Sequence, residues 1–207
     1  MSQLLDLISG HLGDENVDRI SRSLGADRSQ TEKAIAAALP TLLGAVTRNA
    51  SDEGGQQNLH NALVRDHDGS VFDHLGSLLG GAKPESSGGM TQKTTSGGAI
   101  LDHILGGKRQ RVEQGVSSVS GLDSRQSSDL MSMLAPILMG AIGKRRKQDD
   151  LSAGGLGDLL RGEREQVEAP QSSGGSLIGR MLDQDGDGDF DLFDVMKFGL
   201  GRVFGKK

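Results

Sequence analysis

The 207-residue chain has no cysteine, tryptophan or tyrosine, and only four prolines and five phenylalanines. Without cysteine there can be no disulfide framework, no thiolate metal site and no thiol nucleophile. With so few aromatic residues, the core must be built from Leu, Ile, Val, Met and Ala, a palette that favours helices over sheets. The longest largely apolar run, Leu130 to Ile142, is too short for the roughly 20 residues of a membrane span and reads as a buried helix. Met1 to Gly13 has no basic n-region, sustained apolar stretch or small-residue cleavage site. A standard secretory signal is therefore not expected. The default address is the cytoplasm, with non-classical export as the alternative.

Repetition dominates what is present. Residues 4–48 laid over 100–144 at a fixed offset of 96 give 12 identities, where chance would give about three. The pairs include Leu5/Leu101, Asp6/Asp102, Ile8/Ile104, Gly25/Gly121, Asp27/Asp123, Gln30/Gln126, Pro40/Pro136 and Gly44/Gly140. Each copy reads as two short helices and a long one. The first long helix is expected from about Arg28 to Arg48, with Ser29 and Glu32 as a capping box. Ala34, Ile35, Ala38, Leu39, Leu42, Leu43 and Val46 follow a period near 3.6. Pro40 and Pro136 fall mid-helix, where the missing amide donor predicts a kink in both copies.

The predicted architecture is all-α: a duplicated multi-helix unit with kinked long helices, plus a C-terminal helix-loop-helix segment. Residues 1–80 hold the first repeat and a following short helix, Val71 to Gly80, capped by Ser70 and Asp73. Residues 81–98 form a flexible linker and 99–147 the second repeat. A Gly/Ser-rich linker at 148–175 contains one short helix, Gly155 to Arg161, and 176–207 carry the last segment.

That segment contains the clearest chemical motif. Asp183, Asp185, Asp187, Asp191 and Asp194 occupy positions 1, 3, 5, 9 and 12 of an EF-hand-type loop. Gly188 at position 6 permits the sharp turn, Asp189 at position 7 offers its backbone carbonyl, and Phe190 at position 8 can anchor the loop. The six Asp more than account for the net charge of −5, so the rest of the chain is close to neutral. Carboxylates at this density and spacing predict Ca2+ as the ligand. The Asp at position 12 is shorter than the usual Glu, which weakens selectivity and admits Mg2+. The shorter fragment Asp66 to Ser70 resembles only the start of such a loop and reads as a helix cap.

The paired segments LPTLLGA (Leu39 to Ala45) and APILMGA (Ala135 to Ala141), joined through DHDGSVFDHLGSLLGG, resemble the bacterial domain-of-unknown-function family 937, the YidB-like proteins. The resemblance covers roughly residues 1–147 and implies an all-helical fold with no established activity. The loop DQDGDGDFDLFD is also similar to one dockerin calcium repeat; dockerins carry two, so a cohesin-type partner is not implied.

Catalytic signatures are missing: there is no GxSxG, Walker loop, dinucleotide fingerprint or HExxH. His11, His60, His67, His74 and His103 read as isolated surface residues. Lys144 to Lys147 suits a helix C-terminus, and without interleaved aromatics it argues against nucleic-acid binding. The expected protein is a non-enzymatic calcium binder with a structural or self-assembly role. Its contact would be with a homo-oligomer or protein partner, through the apolar C-terminal helix, Leu192 to Phe204, whose apolar cluster with the loop residue Phe190 is Phe193, Met196, Phe198, Leu200, Val203 and Phe204. An uncharacterised hydrolase and a calcium-dependent membrane-surface binder are the competing classes.

Overall fold

The computed structural model describes residues 3–79 and 97–168. The described residues are all-α, with no strand among them. Helix α1 (Gln3–His11), α2 (Asp14–Leu24), α3 (Arg28–Asn49) and α4 (Glu53–Asp66) lead to a 3-10 turn (Ser70–His74) and the short α5 (Leu75–Leu79). After the undescribed stretch come α6 (Gly97–Leu105), a 3-10 turn (Gly106–Lys108), α7 (Arg109–Ser120), α8 (Ser124–Gln148) and α9 (Ala153–Glu168).

The boundaries follow from local chemistry. Both long helices start at a capping box, but it is Asp27/Gln30 and Asp123/Gln126, not Ser29/Glu32. Asp27 and Asp123 are extended and can turn their carboxylates onto the first turn; Ser29 is already helical, and Glu32 is drawn instead to Arg28 at 2.8 Å. In the second copy the box is tight, with Gln126 N donating to Asp123 Oδ1 at 2.7 Å and Asp123 N to Gln126 Oε1 at 2.9 Å. The second helix of each repeat ends on a left-handed glycine, Gly25 (φ 62°) and Gly121 (φ 79°), a conformation that side chains with a Cβ resist.

Helices α3 and α8 continue through Pro40 and Pro136. Pro136 cannot donate to the carbonyl of Ser132, one turn earlier. That carbonyl instead meets the start of α6, so closely that a Cβ on Gly97 would lie 1.7 Å from Ser132 O. This contact draws Gly97 and Gly98 out of the expected linker and into a helix.

The repeat is longer than the three helices read from the sequence. Asp52 and Ser152 cap the fourth helices α4 and α9 by accepting from Gly55 N (2.7 Å) and Gly155 N (3.3 Å). The Gly-Gly pair and a leucine recur behind them at Gly54, Gly55, Leu59 and Gly154, Gly155, Leu159. The expected linker at 148–175 therefore contains a helix from Ala153 to Glu168, in which Leu156 and Leu160 are completely buried. Four glycines within α9 depress its intrinsic helicity by roughly 1 kcal/mol each, which is why local pattern understated it and tertiary packing supplies it.

The two repeats interlock around one core. Helix α4 packs on α8 and α9 packs on α3, so each fourth helix rests on the long helix of the other repeat. Likewise α1 and α2 reach α8, while α6 and α7 reach α3. The exchange is visible in single bonds. Gln30 Nε2 donates to Gly121 O at 2.9 Å, and Gln126 Nε2 donates to Leu24 O at 3.2 Å. Each glutamine caps its own helix with the oxygen of its amide and the partner repeat's helix end with the nitrogen. At the centre, every residue of α8 from Leu134 to Gly143 is buried.

Candidate functional site

The predicted calcium ligands Asp183, Asp185, Asp187, Asp189, Asp191 and Asp194, and the apolar residues that follow them, lie outside the described residues. Among the described residues no group of three or more His, Asp or Glu side chains could hold a metal ion. What the body does contain is a shorter acidic turn seated on a basic helix end, at the junction of α4, α5 and α8.

The junction is built on two glycines of α8. A Cβ on Gly143 would stand 1.6 Å from His67 O, and one on Gly140 would stand 2.2 Å from Val71 Cγ1. The chain leaving α4 thus lies directly on the backbone of α8. Asp68 Oδ1 accepts from Ser70 N at 3.0 Å, and Gly69 follows with φ 98°; an Asx turn of this kind needs a residue free of Cβ strain at that position. Bonding to the Ser70 amide, followed by its hydroxyl, holds the Asp68 carboxyl below the usual range. Val71, Leu75 and Leu79 then bury themselves as the 3-10 turn passes into α5. Capping therefore comes from Asp68 and not from Ser70 with Asp73, and only five residues of the expected helix become α-helical, because Gly76 adds no burial and Val71 must face inward immediately after the turn.

The basic end of α8 wraps this turn. Lys144 Nζ lies 5.4 Å from the centre of the Phe72 ring, a cation–π distance, and its Cβ would touch any side chain at Gly69. Lys147 Nζ approaches Asp68 at 4.0 Å, and Arg145 pairs with Asp149 at 3.0 Å. His11 stacks against Phe72 with ring centres 4.2 Å apart. Lys144, Arg145 and Lys147 are thus occupied with the acidic turn, with Phe72 and with the end of their own helix.

His67 departs from the expectation of a surface residue. It is buried, and its Nδ1 is enclosed without a hydrogen-bond partner. Desolvation pushes its pKa down, outweighing the neighbouring Asp66. A neutral imidazole with Nδ1 bare fits such a site; an imidazolium would bury a donor with no acceptor.

A second polar cluster has the look of chemistry but the geometry of scaffolding. Ser128 Oγ donates to Glu113 Oε1 at 2.9 Å, and Arg109 Nε donates to the same oxygen at 2.7 Å. Arg109 also holds Asp102 at 2.7 Å and the Gly98 carbonyl at 3.1 Å. Bonds to Glu113 and then Asp102 keep the guanidinium protonated. A carboxylate already shared by a cation and a hydroxyl is a poor general base, and the cluster ties α6, α7 and α8 together. Glu163 is similar in kind: buried on α9, it accepts from Leu4 N at 3.1 Å and so caps α1 from across the molecule.

Sequence reading missed His67, Glu163 and the seat on Gly140 and Gly143. Only the last had a legible signal, the small residues spaced by three in an otherwise large-residue run.

No described helix is long and apolar enough to cross a membrane. No curated protein and no solved structure matches the chain. Residues 6–145, from the middle of α1 to the basic end of α8, match the model of a family described as bacterial proteins of unknown function, DUF937. With two thirds of its length inside that match, the chain belongs to the DUF937 family.

Proposed function

We propose that this is a non-enzymatic calcium-binding protein in which an interlocked helical body carries a C-terminal metal loop, and that the ion orders the segment through which the protein associates with itself or a partner. The observation that carries this reading is the placement of Asp183, Asp185, Asp187, Asp189, Asp191 and Asp194 around Gly188. Six carboxylates within 12 residues repel one another unless a cation draws their oxygens together, and this spacing is one that converges on an ion taking six to eight oxygens. Four of the chain's five phenylalanines follow Gly188, so an ordered loop would present an apolar surface. The Arg109–Glu113–Ser128 cluster, whose carboxylate is already shared by a cation and a hydroxyl, supports a structural role over a hydrolytic one.

The reading is tested by calorimetric titration of the full chain beside Asp183→Ala and Asp187→Ala. Heat from calcium is expected in the parent, with weaker heat from magnesium, and neither variant should respond. A parent that gives no heat at millimolar calcium sinks the metal assignment. Sedimentation with and without calcium tests association separately; an unchanged monomer leaves the metal and removes the assembly.

A further inference from the structure

The chain passes from α4 onto α8 through a buried histidine. His67 is 7% exposed, and its Nδ1 is enclosed without a hydrogen-bond partner. Its carbonyl lies 1.6 Å from where a Cβ on Gly143 would stand, and four residues later Val71 presses onto Gly140. The backbone leaving the ring is therefore pinned to α8. An imidazolium needs water or an acceptor for each of its two N–H groups, and among the described residues no acceptor meets Nδ1.

The charges around this point do not welcome another cation. Of the neighbouring carboxylates, Asp66 pairs with Arg65 at 2.8 Å, while Asp68 accepts from Ser70 N and faces Lys147. Helix α8 brings Lys144 against Gly69, Lys147 to Asp68, and Arg146 about one turn beyond Gly143 with its Nε enclosed and unpartnered. From α1 comes His11, stacked on Phe72, and from α2 comes Arg19, 3.2 Å from a Cβ placed on Gly76. Helix α9 meets α4 at Gln56, three turns before His67, and His60, two turns before it, also has an enclosed Nδ1. Burial of Val71, Leu75 and Leu79 holds the segment down. Because α3 and α8 also pack directly on each other, the central core does not need that segment in order to stay closed, and short elements of this kind can open on their own.

We infer that His67 is an acid-operated latch, whose protonation releases residues 67–79 from α8 as a unit while the long helices stay packed, uncovering Val71, Leu75, Leu79 and the glycine floor beneath them. Released, His67 is hydrated and takes its proton near pH 6.5; seated, desolvation keeps it neutral to lower pH. Below about pH 6.5 the released state therefore binds a proton that the seated state does not. The released fraction rises by up to about tenfold per pH unit until the seated ring itself titrates, and is constant above that window. The latch lies wholly within the helical body and needs no metal.

Because the chain has no cysteine, single introduced thiols in the full chain report opening site by site. Val71→Cys places one beneath the segment, and Ser127→Cys, a nearly isosteric change at a completely buried position of α8, places one in the body. The labelling rate with dithiodipyridine is divided by that of the urea-unfolded variant at the same pH. Below about pH 6.5 this ratio should rise by about tenfold per pH unit for Val71→Cys and stay level for Ser127→Cys. Adding His67→Gln, whose side chain is neutral throughout, should remove the rise. In the unsubstituted protein the His67 ring and Val71 methyl resonances should titrate with one midpoint, a measurement that needs no change at His67. A level ratio for Val71→Cys, an equal rise for Ser127→Cys, a rise that survives His67→Gln, or a His67 ring that titrates while the Val71 methyls stay fixed would each overturn the latch.

Discussion

Replacing Gly140 by alanine should destabilise the protein, whereas the same change at its repeat partner Gly44 should stabilise it, and the difference measures how tightly the 67–79 segment is held. Glycine to alanine inside a helix gains about 1 kcal/mol in propensity. At Gly44 the new methyl meets nothing within 4 Å among the described residues, so that gain should appear nearly whole. At Gly140 the methyl carbon would lie 2.2 Å from Val71 Cγ1, well inside the 3.5 to 4.0 Å of ordinary carbon contacts. Overpacking of this kind costs about 1–3 kcal/mol, giving a net loss of up to about 2 kcal/mol and a gap of about 1–3 kcal/mol between the two sites. Val71 is buried, and Val71→Ala alone should cost about 1–2 kcal/mol. In the Gly140→Ala background the new methyl takes the space of the lost one. The double variant should therefore fall short of additivity by about 1 kcal/mol or more. Urea unfolding of the four proteins, read as midpoints at constant slope, supplies the cycle. Equal stabilisation at Gly44 and Gly140, or strict additivity with Val71→Ala, would refute the seating of Val71 on α8.

Three further outcomes are expected. His67 has a folded pKa below its unfolded value of about 6.5, so below that pH the unfolded chain binds the proton first; stability should fall as pH drops from about 6.5 toward the folded value, and His67→Gln should flatten that part of a thermal-melt profile. Gln126→Ala removes both the box bond to Asp123 N and the bond to Leu24 O; it should cost about 1–2 kcal/mol in urea unfolding, more than Gln30→Ala, whose box bond is longer at 3.4 Å. Glu163→Ala leaves Leu4 N uncapped in a buried setting; a loss of about 1–3 kcal/mol is expected, with hydrogen exchange accelerating first in α1.

The residues that announced themselves in the sequence are those whose work is local. The long-helix periodicity from Ala34 to Val46, the αL glycines at Gly25 and Gly121 and the recurrence of Pro40 as Pro136 located the helices to within a few residues. The capping box was misplaced by two positions because Ser29 with Glu32 satisfies the same pattern as Asp27 with Gln30; the start of the helix, which decides between them, is set by the turn from α2. Helix α9 was shortened because Gly154, Gly155, Gly157 and Gly162 read as linker. Its stability comes from burying Leu156 and Leu160 against α3 and α4, which no window along the chain contains.

By itself, then, the sequence determined the helical class, the duplication and the acidic loop, since these depend on composition, on spacing within a turn or two, and on comparison of the chain with itself. Only the tertiary structure decided that each repeat closes its core with the other's fourth helix, that His67 is buried neutral and Glu163 caps α1, and that Val71 is seated on Gly140 of α8. Those properties depend on which surfaces meet across about 70 residues or more, and a contact at that separation leaves no periodic mark in the segments that make it.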